Sequence, residues 1–277
     1  SRPLARVITV TSGKGGVGKS NTAINLAIQF RKMGKKVVIL DADFGLANIE
    51  IMFGAVPKHN LSDLIYQGKN IKDIITWGPM EVGFISGGSG ITGLSNLSKD
   101  YLTYIVHNLA ELDTIADVII VDTGAGISDA VLEFLVASGE ILLVTTPEPT
   151  SITDSYSLLK ALNGHPGLER DNTQICMIAN RVSTANEGEV LFQKLDVVVS
   201  RYLKLPITYL GAVPQDPLLA KAVMQQLPVS LQNPQARSAQ AYEEIAAKLM
   251  KQDEGQNTQK RGVAAFFSHI IGKRNNG

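Results

Sequence analysis

The chain alternates between short runs that are apolar at nearly every position and longer stretches in which apolar residues return every three or four positions. Runs of the first kind span 6–11, 36–41, 82–86, 117–122, 140–146, 174–180 and 207–212. Several are almost wholly Val, Ile and Leu, as parallel strands covered on both faces must be. Stretches of the second kind fall near 21–33, 60–67, 71–76, 99–112, 128–137, 151–163, 187–203, 216–224 and 234–252, and read as helices with one buried stripe. Strand followed by helix, repeated along the chain, predicts an α/β fold: a doubly wound, mostly parallel sheet flanked by helices. Ligands of such sheets gather at the carboxyl ends of the strands. With no internal repeat and no second core, residues 1–252 are expected to form one domain.

The first strand end carries the strongest chemical signal. Gly13-Lys14-Gly15-Gly16-Val17-Gly18-Lys19-Ser20 fits the P-loop pattern of Gly, four residues, then Gly-Lys-Ser. The strand 6–11 precedes it and a helical pattern from Asn21 follows it. Glycines there let backbone N–H groups converge on a polyphosphate at a helix N-terminus. Lys19 is expected on the β- and γ-phosphates and the Ser20 hydroxyl on Mg²⁺. These features make a nucleoside polyphosphate and Mg²⁺ the expected ligands. Lys14 is a second lysine that a generic P-loop does not need; two nearby cations repel unless an anion lies between or near both.

Acids end the strands beside it. The run 37–40 ends in Asp41-Ala42-Asp43, and residues two apart project to the same side of an extended chain. One of the two can order water around Mg²⁺ and the other can orient the attacking water. The run 118–121 ends in Asp122-Thr123-Gly124-Ala125-Gly126. An apolar strand ending in Asp is the Walker B signal, a carboxylate supporting the Mg²⁺ shell, with glycines that free the next loop to move. After the run 140–146 come Glu148 and then Ser151 and Asp154, which by themselves read as a capped helix start with an early acid. Asn180-Arg181 and Pro214-Gln215-Asp216 end two further strands. Asn offers a donor and an acceptor to an adenine edge, and Arg can stack on a base. Ser86-Gly87-Gly88-Ser89-Gly90 reads as a loop at the active edge.

Beyond residue 252 the pattern changes. Residues 253–261 are polar and read as a flexible linker. In 262–274, Val263, Phe266, Phe267, Ile270 and Ile271 occupy about 140° of a helical wheel. Lys260, Arg261, Lys273 and Arg274 flank them, so the segment is expected to be an amphipathic, membrane-targeting helix that meets an anionic membrane surface. Composition limits the rest. In 277 residues, Lys plus Arg balance Asp plus Glu at 26 each, which leaves no whole-protein footprint for nucleic acid, and no direct nucleic acid partner is expected. One cysteine, Cys176, cannot form a CxxC metal site and reads as a core thiol of a reducing compartment. No run reaches the roughly 18 apolar residues of a spanning helix. No signal peptide opens the chain, and the start at Ser1-Arg2-Pro3 suggests that a natural N-terminal segment lies outside this sequence.

The pattern Lys14-Gly15-Gly16-Val17-Gly18-Lys19-Ser20 resembles the deviant Walker A of the MinD/ParA family of dimerising ATPases, and the resemblance covers residues 6 to about 250. It implies ATP/ADP as the nucleotide, and that Lys14 reaches across an ATP-bound homodimer to the partner's nucleotide. It implies switch I over Asp41-Ala42-Asp43-Phe44-Gly45-Leu46-Ala47-Asn48, with Asp43 positioning the attacking water, and switch II from Asp122. It places Glu148 and Asp154 at the dimer interface, and Asn180, Arg181, Pro214, Gln215 and Asp216 on the adenine side. Lys19-Ser20-Asn21, the 43–48 segment, the Gly87–Gly90 loop and the 122–126 segment resemble the FlhG (FleN) group of flagellar-number regulators within that family. That group implies slow, partner-stimulated ATP hydrolysis by a cytoplasmic protein held at the inner face of the cell membrane. It also implies a signal-recognition-type GTPase partner, FlhF, and flagellar switch (C-ring) proteins or a flagellar transcriptional activator. The alternatives within the family are a MinD-type regulator of the cell-division site and a ParA-type DNA-segregation ATPase.

Overall fold

The computed structural model describes residues 3–42, 49, 54, 56–87, 98–252 and 262–272. Eight strands form one sheet: β1 (Arg6–Thr11), β2 (Val37–Ala42), β3 (Thr76–Trp77), β4 (Gly83–Ser86), β5 (Val118–Thr123), β6 (Glu140–Thr145), β7 (Gln174–Val182) and β8 (Thr208–Pro214), in the order β3-β4-β2-β5-β1-β6-β7-β8. Seven are the seven runs seen in the sequence, and all their pairings are parallel. The unpredicted strand, β3, is two residues long and antiparallel to β4, too short to leave a periodic trace.

The helices are α1 (Lys19–Lys32), α2 (Leu61–Tyr66), α3 (Ile71–Ile74), α4 (Lys99–Leu109), α5 (Leu112–Ile115), α6 (Asp129–Ala137), α7 (Pro149–Asn163), α8 (Ala185–Val198), α9 (Pro217–Met224), α10 (Val229–Gln232), α11 (Arg237–Gln252) and α12 (Val263–Gly272). The stretch 187–203 is not one helix. After α8 the chain widens into a π turn, Val199–Leu203, and stops at Lys204 in the left-handed region, φ 53°. The stretch 99–112 likewise divides into α4 and α5. α7 starts two residues before its predicted boundary because Pro149 takes its first turn, where a missing N–H costs nothing. Ser151, expected as a cap, instead accepts from the N–H of Thr146 at 3.0 Å.

Alternation along the strands separates two cores. Ile8, Val10, Ile39, Ile120, Leu142 and Ile178 face α1 and α11. Val7, Val38, Leu40, Ile119 and Val121 face the other side, where α2 to α6 pack, and Ile141, Leu143, Ile175 and Met177 continue that side under α7 and α8. At the amino ends of the strands, Arg6 forks onto the Glu140 carboxylate at 2.6 Å with both partners buried, and donates to the Leu249 carbonyl. Beside them, burial first and the Glu140 charge second push the Cys176 thiol up to about 12, against the pull of Arg6. The reactive thiolate is therefore scarce at neutral pH. Alkylation of Cys176 should be undetectable in the native protein and complete in denaturant, as read by mass spectrometry; rapid native labelling would refute this.

The C-terminal segment forms the expected helix, and its apolar stripe is covered. Residues 253–261, Lys273 and Arg274 lie outside the described residues. α12, however, is docked on the body, its apolar side inward rather than presented to solvent. Val263, Phe266, Phe267 and Ile270 are all at most 5% exposed and join the second core beside α4 and α6. Phe266 stacks on Phe134 of α6 at 5.9 Å and meets Phe267 edge-on at 5.1 Å. Asp113, buried on α5, accepts from the N–H groups of Ala5 (3.0 Å) and Val263 (3.2 Å), so one carboxylate ties the N-terminal strand and the start of α12 together. The reason is shape: α4 and α6 leave an apolar groove that Val263, Phe266, Phe267 and Ile270 fill. The side chain of Ile271 is outside the described set.

Candidate functional site

Parallel pairing brings three strand ends to one place. Val10 of β1 is in register with Asp122 of β5, and Asp122 with Asp41 of β2. The Thr123 hydroxyl bridges to the Val10 carbonyl and the Thr11 hydroxyl at 3.1 Å, which pins the end of β5 to that of β1. Between them the P-loop leaves β1 and enters α1 at Gly18, with φ 91°.

Two of its glycines are dictated by close approach. A Cβ on Gly13 would lie 2.3 Å from the Asp154 carbonyl oxygen, because the first turns of α7 rest on the loop. A Cβ on Gly18 would lie 2.3 Å from Nδ2 of Asn180, and the positive φ already excludes most side chains. Val17 is buried in the core beneath the loop. The Asn180 amide donates to the Val17 carbonyl at 2.7 Å. Gly126 donates to the Ser12 carbonyl at 3.0 Å, which joins the loop after Asp122 to the start of the P-loop.

The charged groups converge on Asp122. Its Oδ1 pairs with the Lys19 ammonium and its Oδ2 accepts from the Ser20 hydroxyl at 2.9 Å. Both ions of the pair are buried, at 8% and 1% exposure, so their attraction is little screened. The lysine, hydroxyl and carboxylate expected at the phosphates and Mg²⁺ are thus mutually in contact. Asp41, at 4% exposure, lies on the neighbouring strand in register. Asp43, with 44–48, falls outside the described residues, as do Gly88–Gly90.

Lys14 does not point freely to solvent. Its Nζ bonds Oε2 of Glu148 at 3.1 Å and Oγ1 of Thr150 at 2.9 Å, within the same chain. Glu148, at 55% side-chain exposure, and Lys14, at 36%, form an exposed pair, worth at most about 1 kcal/mol and easily exchanged. Thr150 was missed as a partner: nothing in Pro149-Thr150 marks a lysine acceptor, and the contact spans 136 positions.

The adenine-side residues are only partly as expected. Asn180 spends its donor on the P-loop, and its buried Oδ1 has no partner among the described residues. Only the acceptor half of the predicted adenine edge is therefore available, and it can take an amine. Arg181 sits exposed at a β-bulge with φ 59°. Pro214 ends β8, and Gln215 donates its N–H to the Val182 carbonyl at 2.9 Å. The Asp216 carboxylate is turned to the protein: its oxygens are engaged by Leu218 N–H (2.9 Å), Ser238 N–H (3.0 Å) and the Ser238 hydroxyl (2.7 Å). It caps α9 and anchors α11. Burial alone would raise its pKa, but those three hydrogen bonds and Arg237 outweigh burial and hold it below the ordinary value. By linkage, Asp216 contributes stability above its unfolded pKa that fades as pH falls through the lower folded one.

The residues fit a Mg-nucleotide on this structure's own terms. Buried Asn21 Oδ1 and Asn180 Oδ1, near the P-loop helix, are both acceptors without partners among the described residues, an arrangement that buried polar atoms avoid unless a ligand or water completes it. Ser20 and Asp122 supply the hard oxygen donors that Mg²⁺ takes. Among the described residues no cluster of three or more His, Cys, Asp or Glu side chains could hold a metal.

Comparison with known proteins agrees with the fold and the loop. A model of the family described as "ParA: NUBPL iron-transfer P-loop NTPase" matches residues 4–250. The chain is 38% identical over 244 residues to the antiactivator FleN of Pseudomonas aeruginosa, covering 88% of this chain and 86% of that protein. It is 33% identical over 270 residues to the flagellum site-determining protein YlxH of Helicobacter pylori, covering 96% and 90%. Among solved structures it resembles the septum site-determining protein MinD complexed with Mg-ADP from Pyrococcus horikoshii. There the TM-score is 0.69 at 22% identity, covering 90% of this chain and 98% of that one.

Proposed function

The chain belongs to the ParA/MinD family of P-loop NTPases, and from that premise we propose that it is an ATP-hydrolysing, dimerising switch that regulates flagellar number and placement. The observation that carries this reading is the meeting of Lys19, Ser20 and Asp122 at the end of the P-loop. The relatives named for flagellar antiactivation and flagellum siting support the flagellar role over cell division or DNA segregation. Iron transfer is not proposed, since the only cysteine is buried in β7 with its thiol protonated.

In the proposed cycle Lys19 exchanges the Asp122 carboxylate for the β- and γ-phosphates of ATP. Released from Lys19, Asp122 holds the metal shell together with Ser20, and Asp41 stands in register beside it. Bound Mg²⁺ supplies charge neutralisation on the phosphate oxygens. Asn180 Oδ1 accepts from the adenine amine. Asp43 orients the attacking water. Lys14 leaves Glu148 and Thr150 and crosses to the second subunit's phosphates. Because α6 follows the 122–126 loop and carries Phe134, a shift of that loop is felt where α12 is docked, and α12 is released to an anionic membrane surface. FlhF-type GTPases, C-ring proteins or a flagellar transcriptional activator are the partners this reading supplies.

Wild type should release phosphate from ATP slowly, and Asp43→Ala should lower that rate at least about 10²-fold with nucleotide affinity retained. Steady-state phosphate detection with vesicles present decides it. Equal rates in the two proteins would remove the enzymatic reading and leave a nucleotide sensor.

A further inference from the structure

The sheet has a second opening, at the end away from the P-loop. Where β2 begins, a cavity of about 530 Å³ is lined by Arg31, Lys36, Val37, Trp77, Glu81 and Ile115. Small-molecule sites run from about 300 to 1,000 Å³. α1 connects the two ends: Arg31 is twelve positions after Lys19 (31 − 19), which is roughly 18 Å along a helix. The cavity is therefore separate from the nucleotide site.

Its walls are held in place. Trp77 stands opposite Gly83 in the β3–β4 pair, and a Cβ on Gly83 would lie 3.2 Å from the indole Cζ3. The glycine thus makes the seat on which the ring rests, while 54% of the residue stays exposed. Across from it, Arg31 donates Nε to the Met80 carbonyl and Nη2 to Oε2 of Glu81, both at 2.9 Å. Met80 (φ 55°) and Glu81 (φ 61°) are consecutive non-glycine residues in the left-handed region. The Gly78 N–H to Val82 carbonyl bond, at 2.9 Å, closes the loop around them. Strain maintained by surrounding contacts is concentrated at functional sites.

Its chemistry is mixed. Arg31-Lys32-Met33-Gly34-Lys35-Lys36 puts four cations in six residues. Lys36 bonds Asp117 through its backbone alone, its N–H donating to the carboxylate and its carbonyl accepting from the Asp117 N–H, both at 2.8 Å, and among the described residues its ammonium has no carboxylate partner. Glu81 uses only Oε2 on Arg31. Val37 and Ile115 form an apolar floor.

We propose that this cavity is a second ligand site, for a purine nucleoside monophosphate. The base lies on the Trp77 face, since an aromatic wall accepts the π-face of any base. Its exocyclic amine donates to Oε1 of Glu81. The phosphate meets the Arg31 guanidinium and the Lys36 ammonium, a fork and a point charge of the kinds that bind phosphate. The lining Arg31, Lys36 and Glu81 sum to one net positive charge (+2 − 1), which suits a monophosphate better than a triphosphate.

Trp77 is the chain's one tryptophan, so its emission reports on this cavity directly. With the P-loop saturated by Mg-ADP, adenosine monophosphate should quench that emission saturably under red-edge excitation. Adenosine and ribose 5-phosphate, each lacking half of the recognised group, should bind at least about 10-fold more weakly, and Lys36→Glu should weaken the nucleotide by a similar factor. Equilibrium dialysis of labelled adenosine monophosphate with Trp77→Leu, again with Mg-ADP present, should show the same loss without relying on fluorescence. Absence of saturable quenching, equal binding of adenosine, or unchanged affinity in Lys36→Glu or Trp77→Leu would each overturn the site.

Discussion

Lys14→Ala is expected to bind ATP and ADP as wild type does, yet to remain monomeric with an ATP analogue and to release phosphate at least about 10²-fold more slowly. Nucleotide affinity is retained because Lys19, Ser20 and the loop backbone, not Lys14, make the phosphate cradle of one subunit. Hydrolysis falls because a cation delivered to the transition state from a second subunit contributes about 10³–10⁵ in rate in comparable phosphoryl transfers. Removing Lys14 also removes its bonds to Glu148 and Thr150. That pair is exposed and worth at most about 1 kcal/mol, so the fold should not suffer. Two measurements decide the matter: size-exclusion chromatography with light scattering in ADP and in a non-hydrolysable ATP analogue, and phosphate release under the same conditions. A Lys14→Ala dimer that persists with the ATP analogue would confine Lys14 to its contacts with Glu148 and Thr150. Glu148→Ala separates the two roles further: it removes the ionic partner of Lys14 and leaves only the Thr150 hydroxyl, and dimerisation should be kept or strengthened.

The double variant Phe266→Asp/Phe267→Asp should lose both places that α12 can occupy. Both rings are 1% exposed in the docked helix. Each contributes about 1.5–3 kcal/mol by burial, in the groove or in a lipid interface alike, so the pair accounts for roughly 10²-fold or more in either equilibrium. Four buried apolar side chains contribute about 6–12 kcal/mol in all, against about 10 kcal/mol or more for ordering some ten residues. Docking is therefore nearly balanced, which a releasable element requires. The variant should keep its folded body, show fast amide exchange across 262–272, and fail to float with anionic vesicles in ATP. Wild type should float in ATP and not in ADP. One tail binds weakly, and two tails on one dimer gain about 10²–10⁴ in avidity. Asp113→Ala gives the opposite sign, because it removes the carboxylate that holds Val263 N–H while leaving the apolar stripe intact. In ADP its single released tail should give weak flotation where wild type gives none, and ATP should still raise flotation through the paired tails. Vesicle binding that survives in the Phe266→Asp/Phe267→Asp protein would exclude α12 as the membrane element.

Residues 6–20 show why some of this site could be read directly from the chain. Strand, glycine turn, Lys19 and Ser20 are contiguous, so the cradle is encoded locally, and parallel pairing then has little choice about where Asp122 arrives. The seven main strands were legible for a related reason: burial on both faces requires unbroken apolar runs. Asp216 shows the opposite. An acid after a strand looks available for a ligand, yet Ser238, 22 positions on, takes its free oxygen. Asn180 looks open to a ligand on both sides of its amide, yet its donor is taken by Val17, 163 positions away.

What the sequence by itself determined is the parallel α/β sheet, the P-loop, and the acids that end β2 and β5, because each is written in periodicity or in contiguous residues. Only the tertiary structure decided how Lys14, Asp216 and the apolar stripe of α12 are occupied. A helical stripe with Val263, Phe266, Phe267 and Ile270 has the same periodicity whether it faces lipid or protein. The choice is made by the groove between α4 and α6 and by the Asp113 carboxylate, which the sequence holds about 150 positions away.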